Sequence, residues 1–124
     1  MKTSELQGAA LDWAVAKAEG KKPSIERNLI WTRGKNTPYA LFQPSKDWAQ
    51  GGPIIERENI SVWETCNEVD DPQEWMAITS RSTWGEDGER DASFGPTPLI
   101  AAMRCYVASK MGEEINIPER VSST

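Results

Sequence analysis

The sequence predicts an α+β fold: two main helices packed on a small antiparallel sheet, in a single domain. Three observations predict it. Residues 95–112 write out a helix with both ends marked. Residues 4–19 carry a second amphipathic pattern. Residues 60–80 alternate on either side of an acidic turn. Helices at both ends of a chain with a hairpin between them suit segregated layers around one core.

The first helix is expected over 4–19. Ser4-x-x-Gln7 resembles a capping box, and Gly20 supplies a stop. Leu6, Ala10, Trp13 and Ala14 share a face that Leu11, Val15 and Ala18 widen, with Asp12 and Glu19 opposite. Residues 20–28 are polar and read as a loop. Leu29–Arg33 and Tyr39–Phe42 read as short strands, the second bounded by Pro38 and Pro44.

The middle, residues 43–59, is unusual. Ser45 is placed to cap a single turn carrying Trp48. Gly51-Gly52 is expected to break that turn, and Pro53 to open another anchored by Ile54 and Ile55. Such a segment is either a functional loop or a compact structural crossover.

The hairpin follows, with strands expected at 60–66 and 75–80 around a turn containing Asp70-Asp71-Pro72. Residues 85–93 read as a charged loop. In the last helix, expected at 98–111, Thr97 is the N-cap, Pro98 the first residue and Gly112 the stop. Leu99, Ile100, Met103, Tyr106, Val107 and Met111 form its apolar stripe, and Ala101, Ala102, Cys105, Ala108 and Ser109 a small-residue side. Arg104 stands at the boundary, placed to snorkel or to meet an anion. Residues 115–117 are a candidate edge strand. The domain is expected over 1–117, with 118–124 a flexible tail. The expected core is Leu11, Trp13, Val15, Ile60, Val62, Met76, Ile78, Leu99, Ile100, Met103 and Val107.

Composition limits the function. The chain has 124 residues, a formal net charge of -5 and no histidine. Net acidity argues against duplex DNA, whose affinity comes from neutralised phosphates. The missing histidine removes the commonest general base, the usual zinc ligand and the usual triad member. Neither a nucleotide-binding glycine motif nor a nucleophile elbow is present, so the expectation is a protein that is not an enzyme and holds no cofactor or metal. No apolar run approaches the ~20 residues of a membrane span. Cys66 and Cys105 have core-like flanks and are expected as buried, reduced thiols. Glu86, Asp87, Glu89 and Asp91 lack calcium-loop spacing and read as a solvated loop. The outlier is six tryptophans. Most are expected in the core, with one or two facing a ligand or a partner.

Two segments are candidates for a site. The helix start at Gly95–Pro98 is a candidate seat for phosphate or carboxylate, ordinary capping being the alternative. The Trp48–Gly52 segment offers a ring and backbone N–H groups to a flat ligand, a turn pinned by a buried Trp being the alternative. Arg57, Arg81 and Arg104 are sources of positive charge, surface ion pairs being the alternative.

Three segments carry a resemblance to a known family. They are Met1–Leu6 with Ala9–Ala16, then Asp47-Trp48-Ala49-Gln50-Gly51-Gly52-Pro53-Ile54-Ile55-Glu56-Arg57, then Gly95 to Val107. Together they resemble the small NinX-like proteins of lambdoid and other tailed phages and prophages. The resemblance implies a phage accessory protein acting in the bacterial cytoplasm, and transfers no catalytic residue. It implies that the second and third segments carry the family's site. The ligand-binding set is therefore Trp48, Gln50, Gly51, Gly52, Arg57, Thr97 and Arg104, with Trp48 expected near the start of the last helix. Two partners are weighed. One is a small anionic ligand, such as a nucleotide signal of anti-phage defence, held by sequestration. The other is a host protein that the chain binds and blocks. A third reading, an enzyme acting on nucleotides, is weakened by the missing histidine. Homodimerisation is expected by analogy with small signal-binding phage proteins.

Overall fold

The computed structural model describes residues 1–33, 39–65, 74–79, 92–119 and 121. Among them are three α-helices and two antiparallel three-stranded sheets, an α+β fold. The expected single sheet is thus two, and a middle helix joins the expected pair.

A 3-10 turn at Thr3–Glu5 precedes α1 (Gly8–Ala18). The capping box does not form. Gly8 takes a φ of 58°, which bends the chain at the start of the helix, and Gln7 sits at the cap with no side-chain bond. Leu6 is fully buried and anchors the bend. The other end is as expected: Gly20, with φ 76°, closes a Schellman turn through Lys21 N–H to Ala16 O.

The polar segment after α1 contains a strand that its composition hides. β1 (Ser24–Glu26) pairs with β2 (Leu29–Arg33), which pairs with β3 (Tyr39–Leu41). Arg27 and Asn28 both have positive φ, 53° and 57°, so they form a tight two-residue hairpin turn. Such turns favour Asn-Gly, and Arg-Asn gives only half of that signal.

The middle folds as one helix, not two turns. α2 (Trp48–Arg57) runs straight through Gly51, Gly52 and Pro53. Asp47, not Ser45, caps it, its Oδ1 accepting the Ala49 N–H at 2.9 Å. Gly51 is there for space. A Cβ at that position would stand 2.6 Å from Leu99 Cδ2 and 2.6 Å from the Pro44 carbonyl oxygen. Asn59, with φ 54°, ends α2 in a second Schellman turn through Ile60 N–H to Ile55 O.

The second sheet holds β4 (Ser61–Thr65), β5 (Glu74–Ile78) and β6 (Ser93–Gly95), in that order. The expected hairpin is present as β4 and β5. Its turn, Cys66, Arg81 and the acidic cluster at 86–91 lie outside the described residues. β6 takes up the end of the expected charged loop. α3 (Pro98–Met111) follows with the expected cap: Thr97 Oγ1 accepts the Ile100 N–H at 3.1 Å, and Gly112 follows with φ 90°. Gly95 lets β6 approach α3, since a Cβ there would lie 2.8 Å from the Ala101 nitrogen.

The expected edge strand at 115–117 is instead a single bridge, Lys2 to Glu114, extended by the Ile115 N–H to the Met1 carbonyl. Val121, in the expected tail, is buried; residues 120 and 122–124 lie outside the described set.

The core lies between α1 and α3, with one sheet contributed from each side. Leu11, Val15, Ile60, Leu99, Met103 and Val107 are buried as expected, and Trp13, Val62 and Ile100 pack half-buried against the core. Met76 and Ile78 do not: the strand presents Ala77, fully buried, in their place. A strand's side chains alternate, so a shift of one residue exchanges its faces. Trp75-Met76-Ala77-Ile78 is apolar throughout, and its pattern does not fix the phase. The fold fixes it: Ala77, fully buried, and Trp75, half-buried against the core, take the inner face together.

Candidate functional site

The second signature segment and the third do meet. Gly51 of α2 rests on Leu99 of α3, in the first turn of the helix whose cap is Thr97. The contact is a packing contact, and the polar members of the expected set are engaged in holding the fold.

Gln50 clamps its own approach segment. Its Oε1 accepts the Gln43 N–H at 2.6 Å, and its Nε2 donates to the Leu41 carbonyl at 2.8 Å. Arg104 staples α3 to two neighbours, donating from Nε to Leu6 O at 2.7 Å and from Nη1 to Phe94 O at 2.8 Å. Burial lowers its pKa, and the Glu74 charge opposes that. Thr97 is engaged in capping.

Arg57 belongs to a network that joins the three helices. Its guanidinium donates to both Glu19 oxygens, at 3.1 and 2.7 Å, and to Glu58 at 2.9 Å. It also donates to the Tyr106 hydroxyl at 3.2 Å, while that hydroxyl donates to Glu19 Oε2 at 2.5 Å. Lys110 adds a second cation to Glu58, at 3.6 Å. Bonds from Glu19 and Glu58 raise the Arg57 pKa, so its charge is permanent. Burial pushes Glu19 up, but the bonds from Arg57 and Tyr106 and the nearby charges outweigh it and hold the carboxyl low. Burial, then Glu19, push the Tyr106 hydroxyl above its ordinary range. The helical pattern of α1 puts Glu19 on the solvent side. It is mostly covered because the end of α2 brings Arg57 to it and α3 brings Tyr106.

Asp12 falls on that same side by pattern and is also buried. Its Oδ1 accepts the Ser45 backbone N–H at 3.0 Å, tying α1 to the entry of α2. Burial pushes its carboxyl up to about 6, against hydrogen bonding from Ser45 and the charge of Lys46. An Asp in a stretch of alanine and leucine is the signal of this role in the sequence.

Trp48 is 55% exposed, and a Cβ at Gly52, one turn later, would meet no described atom within 4 Å. The pocket anticipated between Trp48, Thr97 and a free arginine is thus a surface ring, a used cap and two engaged guanidiniums. A shallow recess of about 320 Å³, lined by Met1, Ala10, Ile117, Pro118 and Val121 among others, contains none of the seven residues.

One apolar feature is hidden in the sequence by the phase of β5. Trp63, Met76 and Phe94 are partners in register across β4, β5 and β6. Partners in an antiparallel ladder share a face. Since Ala77 and Gly95 face α3, this row faces away from it. Trp63 is 38% exposed and Phe94 44%. Ser61, Thr65, Glu74 and Ile78 share the face by alternation.

The family model described as "Bacteriophage P22, NinX" matches residues 2–110. The chain belongs to the NinX family. The match takes in α1, α2 and both sheets and runs into the last turn of α3. No curated protein matches it. Among solved structures it is similar to a phage protein from Bacillus cereus ATCC 14579, at 14% identity and a TM-score of 0.47. That alignment covers 88% of this chain and 87% of the other. No described helix is long and apolar enough to cross a membrane.

Proposed function

We propose that this NinX-family phage protein is a non-enzymatic binder that acts in the bacterial cytoplasm by capturing a host protein on the outer face of β4–β6. The row of Trp63, Met76 and Phe94, with both aromatic rings exposed, carries the reading. Aromatic residues and methionine are enriched at interfaces, and Trp is a frequent anchor. The surrounding charge selects the partner. The chain carries -5 overall, and exposed Glu74 flanks the row, so the fitting surface is apolar with a basic rim.

Binding without chemistry is supported by the titratable groups. The chain has no histidine, and Asp12, Glu19, Arg57 and Tyr106 are matched to one another or to backbone. Sequestration of a nucleotide-like anion is the less favoured reading. It calls for a free guanidinium beside Thr97, and Arg57 and Arg104 are held by Glu19, Glu58, Leu6 and Phe94.

The experiment compares the parent with the Trp63→Ser, Phe94→Ser double variant. One discrete bacterial protein retained by the parent and lost by the folded variant supports the reading. A nucleotide that raises the melting temperature of both proteins equally would overturn it in favour of sequestration.

A further inference from the structure

The outer face of α2 is unlike an ordinary solvent-facing helix. Trp48, Ala49, Gly52, Pro53 and Glu56 point away from the buried Gly51 and Ile54. Four of those five are apolar or small. Trp48 is a 55%-exposed knob. Gly52 lies four residues on, about 6 Å along the axis and on the same stripe.

Gly52 is unexplained by the monomer. A glycine inside a helix costs up to about 1 kcal/mol relative to alanine. Gly51 is required by Leu99 and Pro44, but among the described residues nothing lies within 4 Å of a Cβ at Gly52, and its φ is not positive. Pro53 adds a second irregularity. It has no N–H, so the Ala49 carbonyl loses its helical donor.

Exposed charges of opposite sign flank this face. Lys46 precedes the N-terminus and Glu56 stands in the last turn, both exposed. The dipole of α2 is itself matched by Asp47 at the cap and Arg57 in the last turn, so Lys46 and Glu56 are not needed for it. An antiparallel copy of the same helix would bring each basic end to an acidic end.

We propose that the outer face of α2 is a self-docking surface on which two copies pack their α2 helices antiparallel about a two-fold axis. Each Trp48 ring sits over the partner subunit's Gly52. A two-fold contact requires that residues pair reciprocally, and a knob and a notch one turn apart on one helix meet that requirement. Glycine at the crossing allows the axes to approach closely. The Trp48 indole N–H is then placed to donate to the carbonyl that Pro53 leaves without a donor. Lys46 of each copy reaches toward the partner subunit's Glu56. This surface is separate from the sheet row proposed to capture a host protein, so the two proposals stand or fall independently.

Sedimentation equilibrium over a wide concentration range tests it, with far-UV circular dichroism confirming that every variant is folded. The parent is expected to dimerise. Gly52→Leu fills the notch, where no described atom of the monomer opposes it, and should weaken dimerisation at least about ten-fold. Glu56→Lys should weaken it by a smaller factor, and adding Lys46→Glu should restore it. A parent that stays monomeric at every attainable concentration would overturn the proposal. So would a dimer that Gly52→Leu leaves unchanged, or a double charge reversal no better than the single one.

Discussion

Gly51 of α2 and Leu99 of α3 are in contact so close that a Cβ on residue 51 would stand 2.6 Å from Leu99 Cδ2. The same Cβ would stand 2.6 Å from the Pro44 carbonyl oxygen, which belongs to the backbone and cannot rotate away. Two segments that look like family signatures in sequence are therefore the two sides of one helix crossing.

Gly51→Ala should destabilise the protein by about 1–3 kcal/mol, the usual cost of overpacking, despite the better helix propensity of alanine. Gly52→Ala, measured on the monomer, should stabilise it by up to about 1 kcal/mol. Urea denaturation of both variants checks this. Equal effects at the two positions would contradict the account of the crossing.

The buried carboxyl of Asp12 predicts a pH dependence of unusual sign. Its folded pKa of about 6 lies above its ordinary value of 3.8. The folded state therefore holds the proton more tightly, and this group's contribution to stability is lost as pH rises from about 4 through 6. Asp12→Asn keeps an acceptor for the Ser45 N–H and removes the buried charge. It should be the more stable protein at pH 8, by roughly 1–3 kcal/mol, with the difference disappearing near pH 4. Glu19 has the opposite sign, because its folded pKa is depressed. Its stabilisation is present above the ordinary carboxylate range and is lost as pH falls through the lower folded value. Thermal melts of Asp12→Asn and Glu19→Gln across pH 3.5–8 separate the two.

What can be read from the sequence divides along physical lines. α3 is legible to the residue because Thr97, Pro98 and Gly112 mark its ends locally. β2 is legible as a short strand-forming run ending at Gly34, and the β4–β5 pairing from alternation in its first strand. β1 is not, because its turn uses Arg27 and Asn28 where Asn-Gly is the usual signal. α2 reads as broken because Gly51-Gly52-Pro53 has poor propensity, and contact with Leu99 overrides that. The site is the least legible part. Arg57 and Arg104 are identifiable as cations, but their acceptors, Glu19, Leu6 and Phe94, are distant in sequence or on elements whose packing must first be known. Trp63 and Phe94 escape notice as a surface because the apolar run of β5 lets Met76 pass for a core residue.

Cys105 provides a chemical probe of the core. It is buried, and burial pushes its thiol up to about 11 against a bond from Ser93. In a Cys66→Ser background it should react with a disulfide reagent only as fast as the protein opens, far below the rate for a free thiol. Rapid labelling of the native protein would contradict its placement in the core.

Arg104→Lys should cost about 1–2 kcal/mol although the charge is kept, because an ammonium cannot span the Leu6 and Phe94 carbonyls as the guanidinium does. Chemical denaturation reads this directly, and a Lys variant as stable as the parent would show that charge alone suffices.

The most direct test of host-protein capture is site-specific photo-crosslinking in living bacteria. A photoreactive residue at Ser61, exposed on the same face as Trp63 and Phe94, leaves the aromatic row intact; one at exposed Glu26, on the other sheet, serves as control. The account predicts a discrete crosslink to one host protein from position 61, absent from position 26 and abolished by Trp63→Ser with Phe94→Ser. No crosslink specific to position 61, or one that survives loss of both aromatic rings, would contradict it.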